Sequence, residues 1–100
     1  MSCKFEFKNM IKRRLRITGK VQGVGFRYSL QEEAGRLGVN GWVRNRRDGS
    51  VEAVVQGPPA TVDHMLDACR KGPPGSRVDR VEIIGEGVGA FDGFEVRPTT

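Results

Sequence analysis

From Ile11 to Gly38 the chain reads IKRRLRITGKVQGVGFRYSLQEEAGRLG, and this stretch decides the fold. Ile11, Leu15 and Ile17 nearly alternate with Lys12, Arg14 and Arg16, the period-two pattern of a half-buried strand reaching Thr18; Arg13 interrupts the alternation and allows a later start. Gly19 to Gly25 is punctuated by three glycines and reads as a loop. Phe26, Leu30, Ala34 and Leu37 then recur at helical spacing, and Gly38 follows where a left-handed residue closes a helix, so the spacing predicts a helix over 26–37. A strand that passes through a short glycine loop into a helix is the opening of a βα unit.

The rest of the chain extends that unit. Gly41 to Arg47 reads as a second strand, Asp48-Gly49 as a hairpin turn, and Ser50 to Gln56 as a third strand with Val51, Ala53 and Val55 on one face. Gly57-Pro58-Pro59 stops that strand and opens a second helix, whose apolar stripe is Val62, Met65, Leu66 and Cys69. Gly72-Pro73-Pro74-Gly75 ends it. Val78 to Ile84 reads as a fourth strand, residues 85–93 as a loop with four of the fourteen glycines, and Phe94 with Val96 as a short closing strand. The order β-α-β-β-α-β with right-handed crossovers predicts an α+β fold of ferredoxin-like type: a four-stranded antiparallel sheet, two helices on one face, and a short extra C-terminal strand. One domain over 11–97 is expected, with residues 1–10 as a tail.

Composition narrows the function classes. Hydrophobic residues make up 37% and charged residues 29%, which suits a globular core. No apolar run approaches the roughly 18 residues of a membrane span, and no secretory signal is visible at the N-terminus, so a cytoplasmic protein is expected. Cys3 and Cys69 form no CxxC pair and no Cys/His cluster, so no metal site is expected; their pairing stays open, although a reducing compartment disfavours it. The net charge of +5 points to an anionic partner or simply to a soluble basic surface.

The chemistry is carried by Gly19-Lys20-Val21-Gln22-Gly23-Val24-Gly25-Phe26-Arg27. The first N–H groups of a helix lack internal partners and carry a partial positive charge. Glycines just before them let successive N–H groups converge on an anion. Arg27 adds a planar cationic fork suited to phosphate oxygens. The loop is neither a Walker loop, since Val21 follows Gly19-Lys20, nor a dinucleotide fingerprint, since Tyr28 stands where glycine is needed. It therefore suits a small phosphate, although a plain glycine-rich turn with a surface arginine fits the same residues.

Those nine residues, with Gly41-Trp42-Val43-Arg44-Asn45 beginning fourteen positions after Arg27, resemble the acylphosphatase family. Gly49, Val51, Gln56 and Gly57 fit the same resemblance, which runs from about Lys12 to Val96. It implies the ferredoxin-like fold already reached by pattern. It also implies hydrolysis of the carboxyl-phosphate bond of small acyl phosphates, with no metal or organic cofactor. By the same resemblance, the backbone N–H groups of Gln22, Gly23, Val24, Gly25, Phe26 and Arg27 bind the phosphate, Arg27 is the catalytic arginine, and Asn45 orients the attacking water. In some members of the family a C-terminal carboxylate braces the arginine; here the chain continues through Arg97-Pro98-Thr99-Thr100.

Other polar features have plainer readings. His64 is expected on the exposed side of the second helix, Trp42 in the core or on a sheet face, Cys69 in the core, and Glu32, Glu33 and Glu52 as solvated charges. The main rival to an enzyme is a non-catalytic anion-binding or nucleic-acid-binding module, suggested by Lys12, Arg13, Arg14 and Arg16. RNA recognition on this fold stacks bases on central-strand aromatics, and neither the first nor the third strand has one, so no specific nucleic acid is expected. Arg44, Arg46 and Arg47 flank Asn45 and are expected to concentrate anions there. The expected partners are a small acyl phosphate and inorganic phosphate, without a membrane, acting on a monomer.

Overall fold

A computed structural model of the chain describes residues 10–100; the expected tail lies outside the described residues except for Met10. The elements are β1 (Ile11–Lys20), α1 (Phe26–Leu37), β2 (Asn40–Asn45), β3 (Val51–Gly57), α2 (Pro59–Lys71), β4 (Arg77–Gly85) and β5 (Phe94–Val96), in that order. They build one sheet ordered β4-β1-β3-β2-β5. The pairs β1–β3, β1–β4 and β2–β3 are antiparallel, which is the expected four-stranded ferredoxin-like sheet. The extra strand β5 joins the β2 edge in parallel, pairing Gly41 with Phe94 and Val43 with Val96, so the five-stranded sheet is mixed.

Two boundaries differ from the pattern reading by two residues, and the others by no more than one. β1 starts at Ile11 despite Arg13 and runs on through Gly19 and Lys20, which pair with Val78 and Arg77 after a register shift. At Gly19 the neighbouring strand comes so close that a Cβ would lie 2.1 Å from the Arg77 carbonyl oxygen, so glycine is what lets the ladder continue there. β2 ends at Asn45, which leaves Arg46 and Arg47 in the hairpin turn. That turn is closed by Arg46 N–H donating to Ser50 O (2.8 Å) and Gly49 N–H donating to Arg46 O (3.1 Å).

The alternation of each strand assigns its two faces. Leu15 and Ile17 of β1, Val43 of β2, and Val51, Ala53 and Val55 of β3 are buried against Phe26, Leu30 and Ala34 of α1 and against Val62, Met65, Leu66 and Cys69 of α2. Each large apolar side chain so buried contributes about 1.5–3 kcal/mol. Burial pushes the Cys69 thiol up to about 12, leaving it an inert packing residue. His64 is exposed, as its place off the stripe predicts. Among the described residues no helix is long and apolar enough to cross a membrane.

The opposite face of the sheet is polar but not simply wet. Glu52, expected as a solvated charge, is only 3% exposed. Its register partners on the flanking strands are Arg16 and Arg44, and three guanidiniums converge on its carboxylate: Arg14 Nε at 2.6 Å, Arg44 Nε at 2.9 Å and Arg46 Nη1 at 2.7 Å. Burial raises the Glu52 pKa, but hydrogen bonds from Arg46, Arg14 and Arg44 outweigh it, so the group titrates below its ordinary range. Trp42 lies on this same face with the Arg44 and Arg97 guanidiniums each 4.8 Å from its ring centroid. Replacing Glu52 with alanine is expected to lower stability in urea by about 2 kcal/mol. That is less than the roughly 3–5 of a fully buried pair, because the three arginines reach solvent and can rehydrate.

Candidate active site

The loop between β1 and α1 has the backbone of an anion nest. Gly23 (φ 74°) and Gly25 (φ 75°) are left-handed, while among the described residues no non-glycine residue has positive φ. A left-handed residue after one of negative φ turns consecutive N–H groups toward the same side, and here the alternation occurs twice in a row. Gly25 caps α1 without any side-chain hydrogen bond, and the first amide to bond back into the helix is Ser29, to Gly25 O at 3.0 Å. Among the described residues the amides from Gln22 to Tyr28 donate to no backbone carbonyl. They are therefore free to meet a ligand at the positive end of the helix.

Arg27 stands in the first turn of α1, half-buried. Among the described residues it makes no ion pair or hydrogen bond, and its guanidinium lies 5.7 Å from the Tyr28 ring centroid. Asn45 closes β2 opposite Val51, on the helix-facing side of the sheet. Its Oδ1 is buried and accepts no hydrogen bond among the described residues. A buried acceptor left idle is costly, about 1–3 kcal/mol, unless something else uses it. Gln56 Oε1 is also idle, but it lies at the far end of β3 from Val51.

One side chain ties the two halves together. Gln22 Nε2 donates to Arg46 O (2.7 Å) and to Ser50 O (2.8 Å). The nest loop is thus pinned to the turn that begins immediately after Asn45. The same turn is braced from within: Asp48 Oδ1 accepts from the Ser50 Oγ–H (2.6 Å) and the Ser50 N–H (2.9 Å). These bonds, with one from Arg16, hold the Asp48 carboxyl down to about 2. On the other side of β2, Arg97 N–H donates to Val43 O (2.8 Å), Thr100 N–H to Asn45 O (3.2 Å), and Arg47 N–H to Thr100 O (3.1 Å). Residues 97–100 therefore carry the parallel pairing of β5 up to Asn45.

Two of the three arginines around Asn45 are engaged on the other face of the sheet. Alternation sends the Arg44 side chain to the face opposite Asn45, and both Arg44 and Arg46 are taken up by Glu52. Arg47 is exposed. The cations expected from Lys12 to Arg16 are also engaged: Arg14 with Glu52, Arg16 with Asp48 and Glu82, and Lys12 with the Gly89 carbonyl. Among the described residues no three His, Cys, Asp or Glu side chains cluster as a metal site. The Gln22 side chain and the 97–100 pairing were missed in the sequence, because no local period marks either of them.

Fold and loop together define a class: a ferredoxin-like α+β sandwich whose first strand-to-helix junction is a glycine nest. The acylphosphatase family model matches residues 13–96. An acylphosphatase of Thermococcus kodakarensis is 50% identical over 86 residues, covering 86% of this chain and 94% of its own length. One from Nitrobacter hamburgensis is 60% identical over 72 residues, 72% of this chain and 73% of its own. The solved acylphosphatase structure from Coxiella burnetii is similar with a TM-score of 0.86 at 34% identity, over 92% of this chain and 97% of that one. The chain belongs to the acylphosphatase family.

Proposed function

We propose that the chain hydrolyses small acyl phosphates to a carboxylate and inorganic phosphate, with the N–H groups of Gln22 to Arg27 and the Arg27 guanidinium holding the phosphoryl group and Asn45 orienting the water. The observation that carries this reading is the row of unpaired amides from Gln22 to Tyr28 at the start of α1, linked by Gln22 to the strand end bearing Asn45. The water oxygen bonds to phosphorus as the bond from phosphorus to the acyl oxygen breaks. The electron pair leaves on the carboxylate, and the water's proton passes to the phosphoryl oxygens. Because a carboxylate is a good leaving group, no strong acid is needed; what remains is positioning and charge stabilisation. A neutral amide suits the water, since it offers a donor and an acceptor together, and the idle Asn45 Oδ1 is such an acceptor.

The reading takes the chain to act as a cytoplasmic monomer, its folded domain spanning 11–97, without a cofactor. The rival nucleic-acid reading is weakened because Arg14, Arg16, Arg44 and Arg46 are already paired with carboxylates. The test is benzoyl phosphate hydrolysis in EDTA, together with amide shifts of residues 22–27 on titration with inorganic phosphate. Turnover in EDTA and saturable shifts confined to that loop are expected; the absence of both would refute the proposal.

A further inference from the structure

The Gln22 side chain directly joins two parts of the site that the sheet links only through β3. The nest belongs to the β1–α1 loop, and Asn45 belongs to the end of β2; no strand pairing connects β1 with β2, because β3 lies between them. The two N–H groups of Nε2 go to two different carbonyls, Arg46 O and Ser50 O, at 2.7 and 2.8 Å. Each of those carbonyls already accepts one bond inside the hairpin turn, from Gly49 N–H and Arg46 N–H respectively. The amide thus fills their second lone pairs and straddles the mouth of the turn. Its backbone, one residue before Gly23, is the first amide of the nest.

We propose that Gln22 is a positioning residue: its side-chain amide sets the distance between the phosphate nest and Asn45, and so between the phosphoryl group and the attacking water. The inference rests on the acyl phosphate reading above. It separates two jobs within one residue, the backbone N–H facing the phosphate and the side chain fixing Asn45. The nest itself keeps its shape without the clamp, because Gly23, Gly25 and the start of α1 define it locally. Loss of the clamp therefore misplaces the water more than the phosphate. Displacing a reacting group by about 1 Å can cost up to about 100-fold in rate.

Gln22→Leu keeps the size and removes the donors. Gln22→Glu keeps the shape and presents acceptors to two carbonyls. Both are expected to lower kcat by about 10- to 100-fold while the inhibition constant of inorganic phosphate changes by less than about 3-fold. In the double variant with Asn45→Ala, Gln22→Leu should add almost nothing to the loss from Asn45→Ala alone, because it acts through that side chain. Wild-type kcat in either single variant, or losses that multiply in the double variant, would overturn the inference. Should the leucine variant fail to fold, the native protein still decides: both Gln22 Nε2 protons should exchange slowly and show NOEs to the Arg46–Ser50 turn, and rapid exchange counts against the clamp. An inactive Arg27→Ala protein beside a fully active Gln22→Leu protein would remove this inference alone. A fully active Arg27→Ala protein would instead remove the reading on which it rests.

Discussion

Replacing Arg27 with alanine is expected to lower kcat/KM for benzoyl phosphate by about 1,000-fold or more while leaving the fold intact. The magnitude follows from where charge builds up. In phosphoryl transfer the three equatorial oxygens carry most of the transition-state charge, and an arginine placed against them is worth about 10³–10⁵ in rate. The helix amides alone can hold a ground-state phosphate, but their partial charges cannot replace a guanidinium as negative charge develops. Stability should hardly change, because Arg27 makes no ion pair or hydrogen bond among the described residues. Arg27→Lys should fall between wild type and alanine: it keeps the charge and loses the planar fork. Steady-state kinetics in EDTA with a thermal melt of each variant checks both statements. Full activity in Arg27→Ala would show that the guanidinium has no part in the chemistry.

What could be read from the sequence follows the range of the interactions involved. The nest was legible because it is consecutive: two glycines, a helix start and an arginine lie between Gly23 and Arg27, and their backbone conformations are set locally. The end of α1 was legible for the same reason, since Gly38 is left-handed at φ 76° with its N–H on Ala34 O. Glu52 was misread because alternation states which face a residue takes, not what covers that face. Its cover comes from β1, β2 and the turn, through arginines up to 38 positions away. The direction of β5 was beyond reach, as Phe94-Glu95-Val96 carries no signal of its partner strand. The clamp from Gln22 spans 24 and 28 positions, so it exists only once β1, β2 and β3 are assembled. Residue pattern alone therefore shows the candidate site as two separate motifs, which the family resemblance brings together and the fold links through Gln22.

On the proposed reading, Asn45 has a role that can be separated from binding. Asn45→Ala is expected to lower kcat by about 100- to 1,000-fold, the range seen when one preorganised polar group is removed from an active site, with phosphate inhibition altered by less than about 3-fold. The small binding effect follows from geometry: the amides of Gln22 to Arg27 and the Arg27 side chain lie on the loop and helix, and β2 contributes none of them. Stability should fall little, since alanine removes the idle buried Oδ1 along with the amide. Asn45→Asp divides orientation from charge. It retains an acceptor at nearly the same place but sets a carboxylate against the phosphoryl oxygens, so it should weaken phosphate binding as well as turnover, increasingly so as pH rises through the carboxylate's titration. An Asn45→Ala protein that no longer binds phosphate yet turns over bound substrate normally would assign the amide to the phosphate cradle and leave the water to be held by something else.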